Sequence, residues 1–209
     1  MLQSKRLLLH NVEVIMLKSL LIYLSKASWA QKIVTNWKFA SKAAGRFVAG
    51  STIDEALFVV RSLNQRGINA TIDHLGESTT NREDAIRAKN EILAVLNGIG
   101  CCDVRANVSI KLTQIGLSLD NAFCLSNLLA ILQCAKKNNN YIRIDMEDTP
   151  FTDQTISLYK SVKKEGYDNV GLVIQSYLYR SEADIVNLLK EETHFRLVKG
   201  AYTEPASLA

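Results

Sequence analysis

Five short runs rich in β-branched residues recur along this chain, each followed by a helical pattern, and that alternation limits the possible folds most. The runs are INATIDHL (68–75), ANVSIKLT (106–113), YIRIDMED (141–148), NVGLVIQSYL (169–178) and FRLVKGAY (195–202). They are apolar enough to be buried on both faces, which predicts a parallel sheet covered by helices. Two architectures fit: an open doubly wound sheet and a (β/α)8 barrel. A nucleotide-binding doubly wound fold often carries a GxGxxG or Walker sequence after its first strand, and none stands there. Polar residues gather instead at the C-terminal ends of the runs: His74, Lys111, Asp145 with Glu147, Gln175, and Lys199 with Tyr202. A barrel sets all its strand C-termini around one mouth, so the sequence is read as a partial TIM-like barrel of five βα units.

The helical stretches carry their own punctuation. TIDEALFVVRSLNQRG places Ala56, Leu57, Val60 and Leu63 on one face and stops at Gly67. Thr80 with Glu83, and Ser181 with Asp184, have capping-box spacing, and Thr149 before Pro150 suits an N-cap followed by proline. A helix over 121–137 carries Leu125, Leu128, Leu129 and Leu132 on one stripe. Residues 1–52 read as an N-terminal helical segment and 53–209 as the barrel domain. The amphipathic pattern over 17–47 covers one end of the domain, with contact to a membrane surface as the alternative. KRLLLHNVEVIMLKSLLIYLSKASWAQK also mimics a signal peptide, but its apolar run is interrupted by Lys18 and is too short to span a bilayer. Met16 is a second candidate start, which would make 1–15 an extension of the gene.

Composition removes several classes of function. With 25 basic and 21 acidic residues the net charge is +4, and no basic block or aromatic-interleaved stripe points to nucleic acid. The 47% hydrophobic and 22% charged fractions are those of a globular domain. Cys101, Cys102, Cys124 and Cys134 follow neither CxxC nor disulfide-framework spacing, and only 3 histidines could join them as ligands, so no metal is expected.

Taken together, TIDHLGE, SIKLTQIGLSLD, IRIDMEDT, VIQSYLYRSEADI and FRLVKGAY resemble the flavin-dependent proline dehydrogenase family in its monofunctional bacterial form. The likeness runs in order from Leu17 to Pro205. It implies a distorted (β/α)8 barrel with FAD at its mouth, oxidation of L-proline to Δ1-pyrroline-5-carboxylate, and a quinone or other electron acceptor. It implies a cytoplasmic enzyme, with peripheral contact at the inner membrane face as a further expectation.

The same resemblance assigns roles, and the residue chemistry stands beside each. Lys111 and Tyr202 would hold the substrate; an ammonium at a dry mouth suits an anion or a carboxylate partner. Asp145 would be catalytic, ordering basic neighbours and flavin contacts. Strand alternation puts it on one side with Arg143 and Glu147, and a carboxylate inside a barrel persists only if paired. An ion pair holding the barrel together is compatible with that role. Arg196 is the second catalytic assignment, placed by resemblance near the flavin N5, where a cation stabilises anionic reduced flavin. Met146, Gln175, Lys199, Gly200 and Ala201 are implied as cofactor contacts. Gln175 can donate and accept at once, and the small Gly200 and Ala201 let backbone approach a ligand. His74 and Glu77, from DHLGE, read equally well as a structural pair.

Two departures from the family pattern shape the expectations. The paired arginines that clamp the substrate carboxylate lie in a final helix of the family, and no RR pair occurs in this sequence. Five of eight strands are present, leaving an unpaired edge on the fifth. The expectation is a C-terminally truncated proline dehydrogenase of doubtful activity, arising by truncation or frameshift, or a half completed by a second chain. The rival readings are a non-catalytic remnant or interaction module, and a class I aldolase using Lys111 or Lys199 as a Schiff-base amine.

Overall fold

The computed structural model describes residues 48–76, 78–190 and 193–209. The expected helix over 17–47, the leader-like stretch before it and Glu77 lie outside the described residues. All the elements below belong to one compact unit, Thr52–Ala209.

Their order is α1 (Ile53–Gln65), β1 (Ala70–Asp73), α2 (Arg82–Cys102), β2 (Ala106–Ile110), a 3-10 turn (Thr113–Ile115), α3 (Asn121–Lys137), β3 (Ile142–Ile144), α4 (Thr149–Lys164), β4 (Val170–Gln175), α5 (Ser181–Leu189) and β5 (Phe195–Val198). The strands lie side by side in the order β1-β2-β3-β4-β5, and every neighbouring pair is parallel. A doubly wound sheet reverses its strand order at a switch point. Here the order never reverses, so right-handed crossovers lay every connecting helix on the same side, as in a barrel wall. The sequence expectation of a partial TIM-like barrel therefore holds over the doubly wound alternative.

Register divides each strand into two faces. Val108, Ile142 and Val170 stand in one row, and Ile110, Ile144 and Leu172 in the next. All six are at most 1% exposed and belong to the core built with the helices. On the opposite face Asp73, Ser109, Arg143 and Gly171 share a row, and Val173 pairs with Arg196.

Local signals set the helix ends, in several cases one residue away from expectation. α1 opens on a full capping box, with Glu55 N–H to Thr52 Oγ1 at 3.3 Å and Thr52 N–H to Glu55 Oε2 at 3.2 Å. It is followed by Gly67 at φ +77°, as the stop signal predicted. For α2 the cap is Asn81, whose Oδ1 accepts from Asp84 N at 2.8 Å, so the Thr80–Glu83 spacing is displaced by one residue. Thr149 is inside α4, with Asp148 as its cap, and its N–H donates to Glu204 Oε1 at 2.8 Å. Ser181 is the first residue of α5 and uses its hydroxyl on Gln175 O, 2.5 Å away, instead of capping. α3 matches its expected range, but its fully buried stripe is Cys124, Leu128, Ile131, Leu132 and Ala135, with Leu125 and Leu129 half-buried. All four cysteines are free thiols. Among the described residues no helix is long and apolar enough to cross a membrane.

Candidate active site

Lys111 and Asp145 each follow the last residue of their strand, and Asp145 N–H donates to Ile110 O at 2.9 Å, extending the β2–β3 ladder one step further. That step brings the two side chains together at the mouth. Lys111 Nζ lies 3.0 Å from Asp73 Oδ2 and 3.6 Å from Asp145 Oδ2. Arg196, from β5, donates through Nη2 to Asp145 Oδ1 at 2.6 Å and to Ser109 Oγ at 2.9 Å. Asp73, Lys111, Asp145 and Arg196 thus form one line of alternating charge across the sheet. Burial pulls the Lys111 ammonium toward neutrality, but the hydrogen bond and charge of Asp73 and the charge of Asp145 outweigh it, so its pKa rises. Among the described residues the Arg196 Nε is buried without a hydrogen-bond partner.

The other residues singled out from sequence fall around this line. Gln175 is 2% exposed. Its Nε2 donates to Glu147 O at 3.0 Å and its Oε1 accepts from Ala201 N at 3.3 Å, leaving one N–H and one lone pair spare. Gly200 adopts φ +113°, and a Cβ there would sit 2.0 Å from Tyr177 ring atoms, so the position admits only glycine without rearrangement. Ser176 N–H to Val198 O (2.7 Å) and Tyr177 N–H to Lys199 O (3.1 Å) hold the segments after β4 and β5 side by side. Lys199 and Ala201 are exposed. Tyr202 receives the Tyr177 hydroxyl on its carbonyl at 3.1 Å, and burial with the Glu147 charge keeps its phenol protonated above the ordinary range. Met146, set beside the cofactor by resemblance, packs its side chain into the apolar core. His74 is tied to α2 through Glu91 Oε2 at 3.1 Å, and its carbonyl accepts from Gln114 Nε2 at 3.0 Å.

Sequence reasoning missed Asp73, Ser109, Thr79 and Thr113, and left Glu147 as one polar strand end among several. Glu147 is 6% exposed. Its carboxylate accepts Thr113 N–H at 3.0 Å and the Thr113 hydroxyl on its other oxygen. Burial raises its pKa, and the two Thr113 bonds oppose that rise. For Asp73 the available signal was its strand-end position in TIDHLGE, in the run neighbouring the one that ends at Lys111.

A sequential parallel sheet with charged residues gathered at its strand C-termini defines an α/β protein of the TIM-like barrel class, the class whose sites are built at that rim. Comparison with known proteins narrows the class to a family. The family model described as proline dehydrogenase matches residues 56–206. Proline dehydrogenase 1 of Bacillus subtilis is 38% identical over 194 residues, covering 93% of this chain and 64% of that protein. Proline dehydrogenase 2 of the same organism is 35% identical over 188 residues, covering 90% and 61%. The proline dehydrogenase of Deinococcus radiodurans is 35% identical over 170 residues, covering 79% and 55%. Among solved structures, proline utilization A from Bdellovibrio bacteriovorus inactivated by N-propargylglycine superposes with a TM-score of 0.72 over 83% of this chain and 21% of that one. At 24% identity it supports the fold. The chain belongs to the proline dehydrogenase family. It spans 64% of the length of its first Bacillus relative and 61% of the second.

Proposed function

We propose that the protein to which this chain belongs oxidises L-proline to Δ1-pyrroline-5-carboxylate, with FAD as its resident cofactor and a quinone or other electron acceptor. The observation that carries this reading is the line Asp73–Lys111–Asp145–Arg196 at the strand C-termini. It presents fixed cations to the carboxylate of an amino acid while keeping each of them paired.

Two features support a flavin: the buried Arg196 Nε has a free donor, and Gln175 keeps a spare donor and acceptor. Arg196, Gln175, Lys199, Gly200 and Ala201 are the residues that would hold it, whereas the Met146 side chain lies in the apolar core. Bound FAD would supply the hydride acceptor that no amino-acid side chain provides. Lys111, held charged, attracts the substrate carboxylate; Tyr202 bounds the substrate; Asp145 fixes Lys111 and Arg196 relative to each other. With flavin bound, Arg196 would supply the positive charge that stabilises its reduced form, an interaction stronger in the transition state than before it.

The state of Lys111 bears on the aldolase alternative. A Schiff-base lysine needs burial to win and lower its pKa, whereas here the two aspartates outweigh burial.

The test is anaerobic addition of L-proline to FAD-loaded protein that carries the remaining barrel length of its relatives. Bleaching of the flavin's visible absorbance is expected. A protein that holds FAD and shows no spectral change with proline rejects the assignment.

A further inference from the structure

A second set of contacts, made almost entirely of buried polar groups, links the segments that follow the strands. Thr79, in the segment after β1, donates both its N–H (3.2 Å) and its hydroxyl (3.0 Å) to Thr113 O. Thr113, after β2, donates its N–H at 3.0 Å and its hydroxyl to the two carboxylate oxygens of Glu147, after β3. Gln175, ending β4, donates to Glu147 O at 3.0 Å and accepts from Ala201, after β5, at 3.3 Å. Five consecutive strand ends are joined in order. Exposure is 9% at Thr79, 2% at Thr113, 6% at Glu147 and 2% at Gln175, so water competes little for these bonds.

We propose that Glu147 is a positioning residue: the belt it centres holds Lys111 in register with Asp145. Lys111 and Thr113 are two residues apart, as are Asp145 and Glu147. The pair that meets across the mouth is therefore braced twice, on one side by Asp145 N–H to Ile110 O at 2.9 Å and on the other by the Glu147–Thr113 clamp. Between the braces, Gln114 N–H to Lys111 O at 3.2 Å folds the chain into the turn that presents Thr113. A buried carboxylate is costly unless its oxygens are met by donors. Thr113 offers two donors, and an ionised carboxylate, which only accepts, is the group that satisfies both. An amide at this position would turn a donor toward one of them. Through Gln175 the belt continues to Ala201, next to the left-handed Gly200. The inference rests on the reading of Lys111 and Asp145 as substrate-facing, but its test does not depend on turnover.

The experiment uses the full chain without flavin. Trace acetylation with acetic anhydride is followed by peptide mass spectrometry, and the rate at Lys111 is divided by that at Lys137, which is exposed at the far end of α3. A lysine reacts through its neutral amine, so a slackened grip by Asp73 and Asp145 raises the ratio. Glu147→Gln is expected to raise it about three- to tenfold, up to about one unit of pKa at Lys111. Part of that rise comes from loss of the Glu147 charge, which acts on Lys111 directly, so the charge-neutral Thr113 variants decide. Thr113→Val, which removes one clamp bond, raises it less, and Thr113→Ser, which keeps both donors, returns the parental ratio. If Glu147→Gln does not fold, the Thr113 pair decides. An unchanged ratio in folded variants overturns the proposal, as does an equal rise in Thr113→Ser and Thr113→Val. Failure of proline to bleach flavin would reject the enzyme assignment and leave this ratio as it was measured.

Discussion

Ile144 and Asp145 are neighbours in sequence and belong to different environments. Ile144 is 0% exposed, in a row with Ile110 and Leu172 against the helices. Asp145 stands on the opposite side of the strand, between Lys111 and Arg196. The same division runs along the central strands. The helix-facing side gains stability by removing apolar surface from water, about 1.5–3 kcal/mol for each fully buried large side chain. The charged side gains little net stability, because desolvating partly buried ions offsets much of their attraction. Stability and site chemistry are carried by alternate residues, so substitutions should separate the two.

The sharpest break would come on the dry side. Leu172→Ala leaves a cavity where a fully buried residue stood and should lower unfolding stability by about 3–5 kcal/mol, read by urea denaturation. The charged line is untouched, so the fraction that remains folded should keep the Lys111 environment. A loss below about 1 kcal/mol would mean that this face repacks around the gap and is not the dry core described.

On the wet side the expected effect reverses. Arg196→Met in flavin-loaded, proline-reducible protein should slow flavin reduction by roughly two to three powers of ten, the scale of one oriented transition-state donor. Stability should change by less than about 1 kcal/mol, since the Arg196 side chain as a whole is 38% exposed and Asp145 retains Lys111 as a partner. Equal loss of folding and of rate would make Arg196 a structural ion pair.

Gly200 tests where the two sides meet. Gly200→Ala must hold φ +113° and place a methyl 2.0 Å from the Tyr177 ring, so a cost of about 1–2 kcal/mol is expected in thermal or urea unfolding. Adding Tyr177→Ala makes room for the methyl and leaves the backbone strain, so only part of the loss should return. Complete recovery would show that the backbone conformation itself costs nothing there.

Much of this arrangement was legible beforehand because it depends on periodicity. The alternation of β-branched runs and helical stripes gave all five βα units, and period two along IRIDMED separated Asp145 from Ile144 and Met146. Lys111, Asp145 and Arg196 were legible as strand-end or strand residues of the right chemistry. What stayed hidden depends on register. Asp73 reaches Lys111 because β1 pairs with β2 through Asp73 opposite Ser109, an offset that no spacing within TIDHLGE reveals. Thr113 became visible as a clamp only once a 3-10 turn placed its N–H and hydroxyl on Glu147. The displaced caps have the same origin. Several residues near each helix start can cap it, and the choice is made by where the preceding loop leaves the strand, as with Asn81 taking the place expected for Thr80.

The smallest expected effect concerns the charge state of Lys111. Its pKa is lowered by burial but raised further by the Asp73 hydrogen bond and the charges of Asp73 and Asp145, for a net rise. A basic group whose folded pKa exceeds its unfolded value contributes stability that is complete below the unfolded value and is lost as pH climbs through the folded one. The window therefore opens at the ordinary lysine value and extends to the alkaline side of it. With 27% of the side chain exposed, solvent screening keeps the contribution below about 1 kcal/mol. The Tyr141 and Tyr202 phenols are pushed up as well, so the measurement is a difference: urea stability against pH for the parent minus that for Lys111→Met. The difference should be flat at neutral pH and shrink through the alkaline window. Asp73→Asn, which removes the largest of the raising partners, should move that decline to lower pH. A difference that stays constant through the window would mean that the charged line is a set of neighbours without mutual hold, and that the separation between the two faces of the sheet ends before it reaches Lys111.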